Sequence, residues 1–378
     1  MRPVVFSIQS LVVLYLKDNG SWLTLPIMYM HPRRFSKRQF AVSMVLLALS
    51  LQASAVETLR VLAWPGYADS DVVRDFETRF NVHVEVSFVS SDDVLREKIG
   101  TDQGGDFDVF AANTAEMQHY INRKLVVPIQ LSNIPNAVHQ LPRFRDLQAI
   151  PGITRNGNVF AIPYTFSEMG LIYDRKQFSK APTSMAAMWD PRYKGKILAF
   201  NTSSHNFSIA SLLLGGSPFR IKDRDFSKVT EYLIKLRRNV LTFYSLPEEA
   251  ADLFREHSIA LLFANYGRQQ LKQLRDAGVD VGYIIPREGA LAWLDCWAVT
   301  RGAKNRRLAE SWINYMLEPG VSGKLTQRQG LSNTITDDPS VNVTDKIIWL
   351  EPVENAQRRA KLWNRIISGD LPGKFHAP

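Results

Sequence analysis

Leu291-Ala292-Trp293-Leu294-Asp295-Cys296-Trp297-Ala298-Val299-Thr300 reads as one buried strand, a run of apolar and aromatic residues of strand length. A single charge, Asp295, stands in its middle, two residues after Trp293. Residues two apart on a strand point to the same face, so a carboxylate and an indole look into one space. A buried carboxylate is costly without a partner. An acid beside an aromatic face favours an organic cation, through charge pairing and cation–π contact. Two readings stay open on this stretch alone: the floor of a cation site, or an acid satisfied by a buried Arg or a backbone amide.

Working outward, the chain before this strand alternates short apolar strands with amphipathic helices. Strands are expected over 59–63, 82–88 and 106–111. A helix capped by Ser70 or Asp71 runs to about Arg79, another opens at Ser90-Ser91-Asp92-Asp93, and 115–123 is helical. This β–α–β–α order predicts a parallel α/β sheet. Ligands of such sheets bind beyond the carboxyl ends of strands. Trp64, Tyr67, Asn113 and Thr114 fall there, although loop packing and helix capping also explain Asn113 and Thr114.

Residues 159–164 are extended and lead through Thr165 to Glu168 into a strand at 170–173. A second α/β set then begins. A strand at 197–200 enters the polar loop Asn201-Thr202-Ser203-Ser204-His205-Asn206, ahead of a helix over 207–214. The loop and the free N–H groups of that helix suit a polar or anionic group, while N-capping alone needs just one of these side chains. Helices are expected over 226–238, 248–256 and 268–277, and strands over 259–263 and 279–285. The first of those strands ends at Ala264-Asn265-Tyr266. Helices over 308–317 and 321–327, a loop at 330–333 and a helix over 355–367 close the chain. Two lobes joined by extended crossings near 159–164 and 291–300 enclose a cleft with Asp295 at its floor. The expected division is 1–55 as an N-terminal extension and signal, 56–163 plus 296–336 as lobe 1, and 164–295 plus 337–378 as lobe 2.

The 378 residues suffice for two domains, and 45% hydrophobic with 22% charged residues is ordinary for a soluble globular chain. The net charge of +9 is misleading. Residues 1–55 carry six Lys/Arg and one Asp, which leaves 40 basic and 36 acidic residues, with no basic run. Nucleic acid is not an expected partner. The single cysteine, Cys296, rules out an internal disulfide and multi-cysteine metal sites. Arg33, Arg34, Lys37 and Arg38, an apolar run over 40–51 and Ala53-Ser54-Ala55 form an export signal with cleavage after Ala55. Residues 1–29 match no part of such a signal. Either Met28 or Met30 starts the chain, or the segment is an anchor.

The stretches Leu62-Ala63-Trp64-Pro65-Gly66-Tyr67, Phe107-Asp108-Val109-Phe110, Ala161-Ile162-Pro163-Tyr164 and Trp189-Asp190-Pro191-Arg192-Tyr193-Lys194-Gly195-Lys196 follow in an order that resembles one family. Pro286-Arg287-Glu288-Gly289 with Trp293 and Asp295 completes it. The chain resembles, from Leu59 to about Ile367, bacterial periplasmic solute-binding proteins of the spermidine/putrescine type, which serve ATP-binding-cassette importers. The resemblance implies a two-lobed α/β periplasmic binding protein fold of type II, with two hinge crossings, closing on its ligand. It implies no catalysis and no cofactor, a monomer, a periplasmic location and a membrane permease as partner. Trp64 and Tyr67 match first-lobe aromatics, Trp293 and Asp295 an aromatic–acid pair, and Phe263 a position where Trp is usual. Tyr164, Thr165 and Ser332 are further candidate contacts. The chain departs from the family where polyamine binders place second-lobe acids: Thr202 and His205 stand there, with Ser203 a further candidate contact of the same loop, Tyr266 replaces an Asp, and Leu331 a Tyr. With Asp295 as the clear acid and Glu168 as a weaker second, the expected ligand has one amine or is a zwitterion.

No G-x-S-x-G elbow, Walker loop or H-E-x-x-H motif is present, and the seven His are scattered. Two alternatives share the fold. A metal- or anion-binding importer component would gather Tyr67, Tyr164, Tyr266 and His205 in a small pocket. A ligand sensor would dock on a membrane receptor instead of a permease.

Overall fold

The structure, a computed structural model, describes residues 13–18, 21–26, 56–338 and 344–369. The expected export signal and the cut after Ala55 lie outside the described residues. The chain divides into two units, Met1–Ala55 and Val56–Pro378. In the first, β1 (Val13–Asp18) and β2 (Ser21–Pro26) pair antiparallel, flanking Asn19-Gly20 in sequence, the dipeptide tight hairpins favour.

The second unit holds two main sheets, each with its own core. β3 (Glu57–Ala63), β4 (Val82–Phe88) and β5 (Val109–Asn113) are joined through α1 (Ser70–Phe80) and α2 (Asp92–Gly100) and run parallel, as helical crossovers require. After α3 (Thr114–Asn122) and a small hairpin of β6 (Thr154–Arg155) and β7 (Asn158–Val159), β8 (Ala161–Met169) rejoins this sheet. The chain then builds the second sheet from β9 (Leu171–Asp174), β10 (Ile197–Phe200), β11 (Thr242–Tyr244), β12 (Leu261–Phe263) and β13 (Val281–Ile284). The order across it is β11-β10-β12-β9-β13. Its helices are α4 (Ser203–Leu213), α5 (Phe226–Asn239), α6 (Pro247–Glu256) and α7 (Arg268–Asp276).

β14 (Ala290–Val299) returns to the first sheet, antiparallel between β5 and β8. α8 (Arg306–Met316) and α9 (Pro319–Gln329) lead to β15 (Ser332–Asn333), on the outer edge of β8. β16 (Ile347–Trp349) runs parallel beside the first residues of β14. α10 (Ala356–Ile367) packs back on α4 in the second lobe. No helix among the described residues is long and apolar enough to cross a membrane.

Two expectations need correction. The first sheet is mixed, not parallel: β3, β4 and β5 are parallel, but β14 runs against β5 and β8. The stretches 159–164 and 291–300 are not the crossings either. β8 and β14 pair from Leu291↔Met169 to Ala298↔Ala161, and a strand hydrogen-bonded over that length belongs to one sheet. The expected boundaries at 163/164 and 295/296 therefore fall inside β8 and β14. The chain crosses between lobes at Gly170 and between β13 and β14, and a third time between β16 and α10. Gly170 is close-packed: a Cβ there would lie 2.5 Å from the Tyr283 ring and 2.6 Å from the Ile284 carbonyl oxygen.

Candidate functional site

Asp295 sits at the centre of β14, opposite Asn113 of β5 and Thr165 of β8. The register shifts directly after it, because Cys296 pairs with Pro163 and leaves Tyr164 as the extra residue. Such a bulge lets β8 hold a proline inside a sheet and re-aims the adjoining side chains. Asp295 is 6% exposed, and its partner is neither an Arg nor a backbone amide. The Tyr67 hydroxyl donates to its Oδ2 at 2.6 Å. Tyr67 arrives from the turn after β3, closed by its backbone N–H on the Trp64 carbonyl. Its ring packs edge-on against Tyr164 and Trp297, with centroids at 5.5 and 6.5 Å. Burial raises the Asp295 carboxyl from 3.8 to about 7, against the downward pull of the Tyr67 hydrogen bond.

A second carboxylate, Asp92, expected as the opener of a helix, lies beside Asn113 at this end of the cleft. Ser91 caps α2 by accepting from the Val94 N–H, which frees Asp92 in the first turn. Asn113 caps α3 through Oδ1, which accepts from the Glu116 N–H at 3.1 Å. Its Nδ2 donates to Asp92 Oδ1 at 3.3 Å. Asn113 thus stands between Asp295, its register partner, and Asp92. Burial, then Glu116, push the Asp92 carboxyl up; Arg96 opposes them and Asp295 adds to them. Arg96 is committed to Glu116, with Nε at 2.6 Å from Oε2, and to Asp93 at 2.7 Å. Among the described residues, no Lys or Arg forms an ion pair with Asp92 or Asp295. The signal in sequence was present: two successive acids after a capping serine, where one suffices for the helix dipole.

The facing lobe presents neutral groups. α4 starts at Ser203, so four of the six residues of the expected polar loop at 201–206 are helical, and Thr202 occupies the N-cap without a side-chain cap bond. His205 Nδ1 lies 2.7 Å from Asn265 Oδ1, and burial pushes its imidazole down to about 4, so it is uncharged at neutral pH. Phe200 stacks on His205 and meets Tyr266 edge-on, at 6.5 and 5.5 Å. Burial, then Glu248 and Asp92, push the Tyr266 hydroxyl up. Trp293 joins the two walls: it packs against both cores, and its Nε1 donates to the Asn265 carbonyl at 3.3 Å. Trp64 packs, partly buried, against the core of the first lobe.

Other expected contacts are placed elsewhere. Glu168 is an ion-pair partner of Arg268 at 3.1 Å, at 2% exposure, and so brings no free acid to the cleft. Phe263 is fully buried in β12, within the core of the second lobe. Tyr164 is spent on the aromatic cluster with Tyr67 and Trp297. Thr165 and Ser332 are buried; the hydroxyl of Thr165 donates to the Ser332 carbonyl at 2.7 Å, and that of Ser332 to Asp338 at 2.9 Å. Thr114 is buried with its hydroxyl 3.4 Å from the Leu350 carbonyl. Tyr266 stays on the facing wall, with its hydroxyl donated to the Ser245 carbonyl at 2.9 Å. Among the described residues no group of three or more His, Cys, Asp or Glu is arranged to hold a metal ion.

The comparisons with known proteins agree with this architecture. Residues 71–344 match the model of the bacterial extracellular solute-binding protein family. The putrescine-binding periplasmic protein PotF of Escherichia coli is 26% identical over 309 residues, covering 77% of this chain and 82% of its own. Spermidine/putrescine-binding periplasmic protein 1 of Haemophilus influenzae is 24% identical over 323 residues, covering 80% and 87%. Among solved structures, a lipoprotein of Treponema pallidum superposes with a TM-score of 0.71 at 17% identity, over 82% of this chain and 99% of that one. The two-lobed fold is therefore that of periplasmic binding proteins, and the chain belongs to the bacterial extracellular solute-binding proteins.

Proposed function

We propose that this protein binds a small amine-bearing solute between its lobes and delivers it to the membrane permease of an ATP-binding-cassette importer. One observation carries the reading: Asp295 is buried, beside Trp293, with a tyrosine hydroxyl as its partner where charge balance asks for a cation. An incoming ammonium supplies that charge, and the indole faces of Trp64 and Trp293 add cation–π attraction. Binding energy spent across both walls offsets the cost of closing them, and the permease reads the closed form. The names of the relatives, which refer to spermidine and putrescine, point to the same solute class. They also support a periplasmic location. The cut after Ala55 is checked by N-terminal sequencing of protein recovered from the periplasm.

The reading includes no catalysis; among the described residues the hydrogen-bond partner of the His205 ring is Asn265 Oδ1. It also includes a monomer, without nucleic acid. A zwitterionic solute is the second reading. It is favoured by the first turn of α4, where Thr202 leaves the helix N–H groups without a side-chain cap. Calorimetric titration of the purified protein with diamines, mono-amines and amino acids tests both. An amine should bind, and Asp295→Asn should weaken it at least about tenfold, or ~1.4 kcal/mol. Silence from every amine, or an Asp295→Asn variant that binds as the wild type does, refutes the proposal. Amino acids binding above all amines selects the second reading.

A further inference from the structure

We infer that His205 is a specificity-determining residue whose Nε2 accepts a hydrogen bond from the far end of the solute, with Asn265 as the positioning residue that makes it an acceptor. The site then takes amines that end in a neutral donor, a hydroxyl or an amide N–H, ahead of those that end in a carboxylate, a second ammonium or plain alkyl. This rests on the cleft being the amine site. Both residues lie beyond the carboxyl ends of neighbouring parallel strands, His205 after β10 and Asn265 after β12. Trp293 links them to the acid. Its Nε1 donates to the Asn265 carbonyl at 3.3 Å, and its side chain shares a strand face with that of Asp295, two residues on. The imidazole and the carboxylate are thus joined through one indole, on opposite walls of the cleft.

Asn265 fixes which ring nitrogen carries the proton. Its backbone is tied at both ends, the N–H to the Tyr244 hydroxyl at 3.2 Å and the carbonyl to Trp293, and the residue is 7% exposed, so its side chain is held in place. Its Oδ1 meets His205 Nδ1 at 2.7 Å. An amide oxygen only accepts, so Nδ1 donates. A neutral imidazole has a single N–H, which leaves Nε2 as a bare lone pair. The ring is neutral because burial, and after it the Arg359 guanidinium, oppose its protonation against the pull of the Asn265 bond. Nε2 has no partner among the described residues and is not sealed from solvent. Phe200, stacked on the ring, and Asn265 take its sides towards the sheet and leave Nε2 to the cleft. A donor from the solute satisfies this lone pair, whereas a carboxylate sets its own lone pairs against it. A second ammonium goes unpaired there, because among the described residues the charged group that acts on the ring is Arg359, also positive.

The test titrates the wild type, His205→Phe and Asn265→Leu in a calorimeter with 4-amino-1-butanol, 1-aminobutane, 4-aminobutanoate and 1,4-diaminobutane. His205→Phe keeps a ring on Phe200 and removes the acceptor. The wild type should bind the amino alcohol at least about fivefold tighter than 1-aminobutane, the scale of one neutral hydrogen bond, and tighter than the other two. Both variants should lose that preference, while 1-aminobutane changes less than about twofold. A readout that needs no ligand is the 15N spectrum of the imidazoles, with His205 assigned by the signal that His205→Phe lacks. The wild type should carry the proton on Nδ1 and a bare Nε2, and Asn265→Leu should move the proton towards Nε2. A wild-type ring protonated at Nε2 overturns the inference. So does 4-aminobutanoate or 1,4-diaminobutane binding above the amino alcohol, or a His205→Phe variant that keeps the hydroxyl preference. A variant that weakens all four alike with a lowered melting temperature makes His205 structural and overturns it too. Failure of the underlying site looks different: no amine binds the wild type, and the inference falls with it whatever the ring spectrum shows.

Discussion

Replacing Asp295 by Asn should make the ligand-free protein more stable at alkaline pH while removing its affinity for amines. The folded protein raises this carboxyl from 3.8 to about 7, chiefly by burial. A group whose pKa is raised on folding stabilises the fold fully below its unfolded value, and that contribution is lost as pH rises through the folded value. Between about pH 4 and 7 the wild type therefore loses stability that an asparagine, which cannot ionise, retains. A displacement of this size corresponds to a ceiling of ~4 kcal/mol at 1.36 kcal/mol per pH unit. Relaxation and water entry around a cleft residue reduce it, and we expect roughly 1–3 kcal/mol at pH 8.5. That is a rise of a few degrees in melting temperature for a chain of this length. The asparagine oxygen still accepts the Tyr67 hydroxyl, so the geometry is kept. The assay is thermal denaturation of both proteins at pH 4.5, 6.5 and 8.5, after unfolding and refolding to strip bound solute. The gap should be widest at pH 8.5 and close to zero at pH 4.5. A variant that melts at or below the wild type at pH 8.5, or a gap that ignores pH, refutes the account of Asp295 as a strained acid.

Three further outcomes are expected. Tyr67→Phe removes the hydrogen bond that lowers the Asp295 pKa, so amine affinity should weaken at neutral pH and the midpoint of its pH dependence should move upward; a midpoint that stays in place contradicts the pairing. Arg268→Met strands Glu168 at 2% exposure and should destabilise the fold by about 3–5 kcal/mol in urea titrations, with partial recovery in the double variant carrying Glu168→Gln. Little loss in the single variant would show that Glu168 has another route to neutrality. Gly267→Ala forces a side chain onto φ +59° with its Cβ 2.0 Å from Ser167 Oγ, and should cost at least about 1–3 kcal/mol in the same assay; a change within error would mean that α7 is not seated on β8 as described.

The legible part of this chain was what local chemistry determines. The strands at 82–88 and 197–200 stand at the bounds read from their apolar runs, and α1, α5 and α10 begin and end within a residue or two of theirs. Asp295 stood out because a lone charge inside an apolar run must have a reason, and Tyr67 was found because it follows a strand at its carboxyl end. β11, β15 and β16 were missed, since strands of two or three residues carry no measurable period and exist by pairing with a neighbour. Glu168 was misjudged for the reverse reason: its partner, Arg268, is a hundred residues away and belongs to the helix that covers it.

The sequence by itself determined the class of the fold, the alternation of strands and helices, and the central acid–indole pair, because each rests on neighbours along the chain. Tertiary structure alone decided which acids remain available. Glu168 and Asp92 look alike in sequence, each an acid at the edge of an element. Folding sets an arginine on the first and places the second beyond Asn113, across from Asp295, with the nearest guanidinium already held by Glu116. The charge that a ligand meets is what remains after distant side chains have paired, and that remainder is written in the packing.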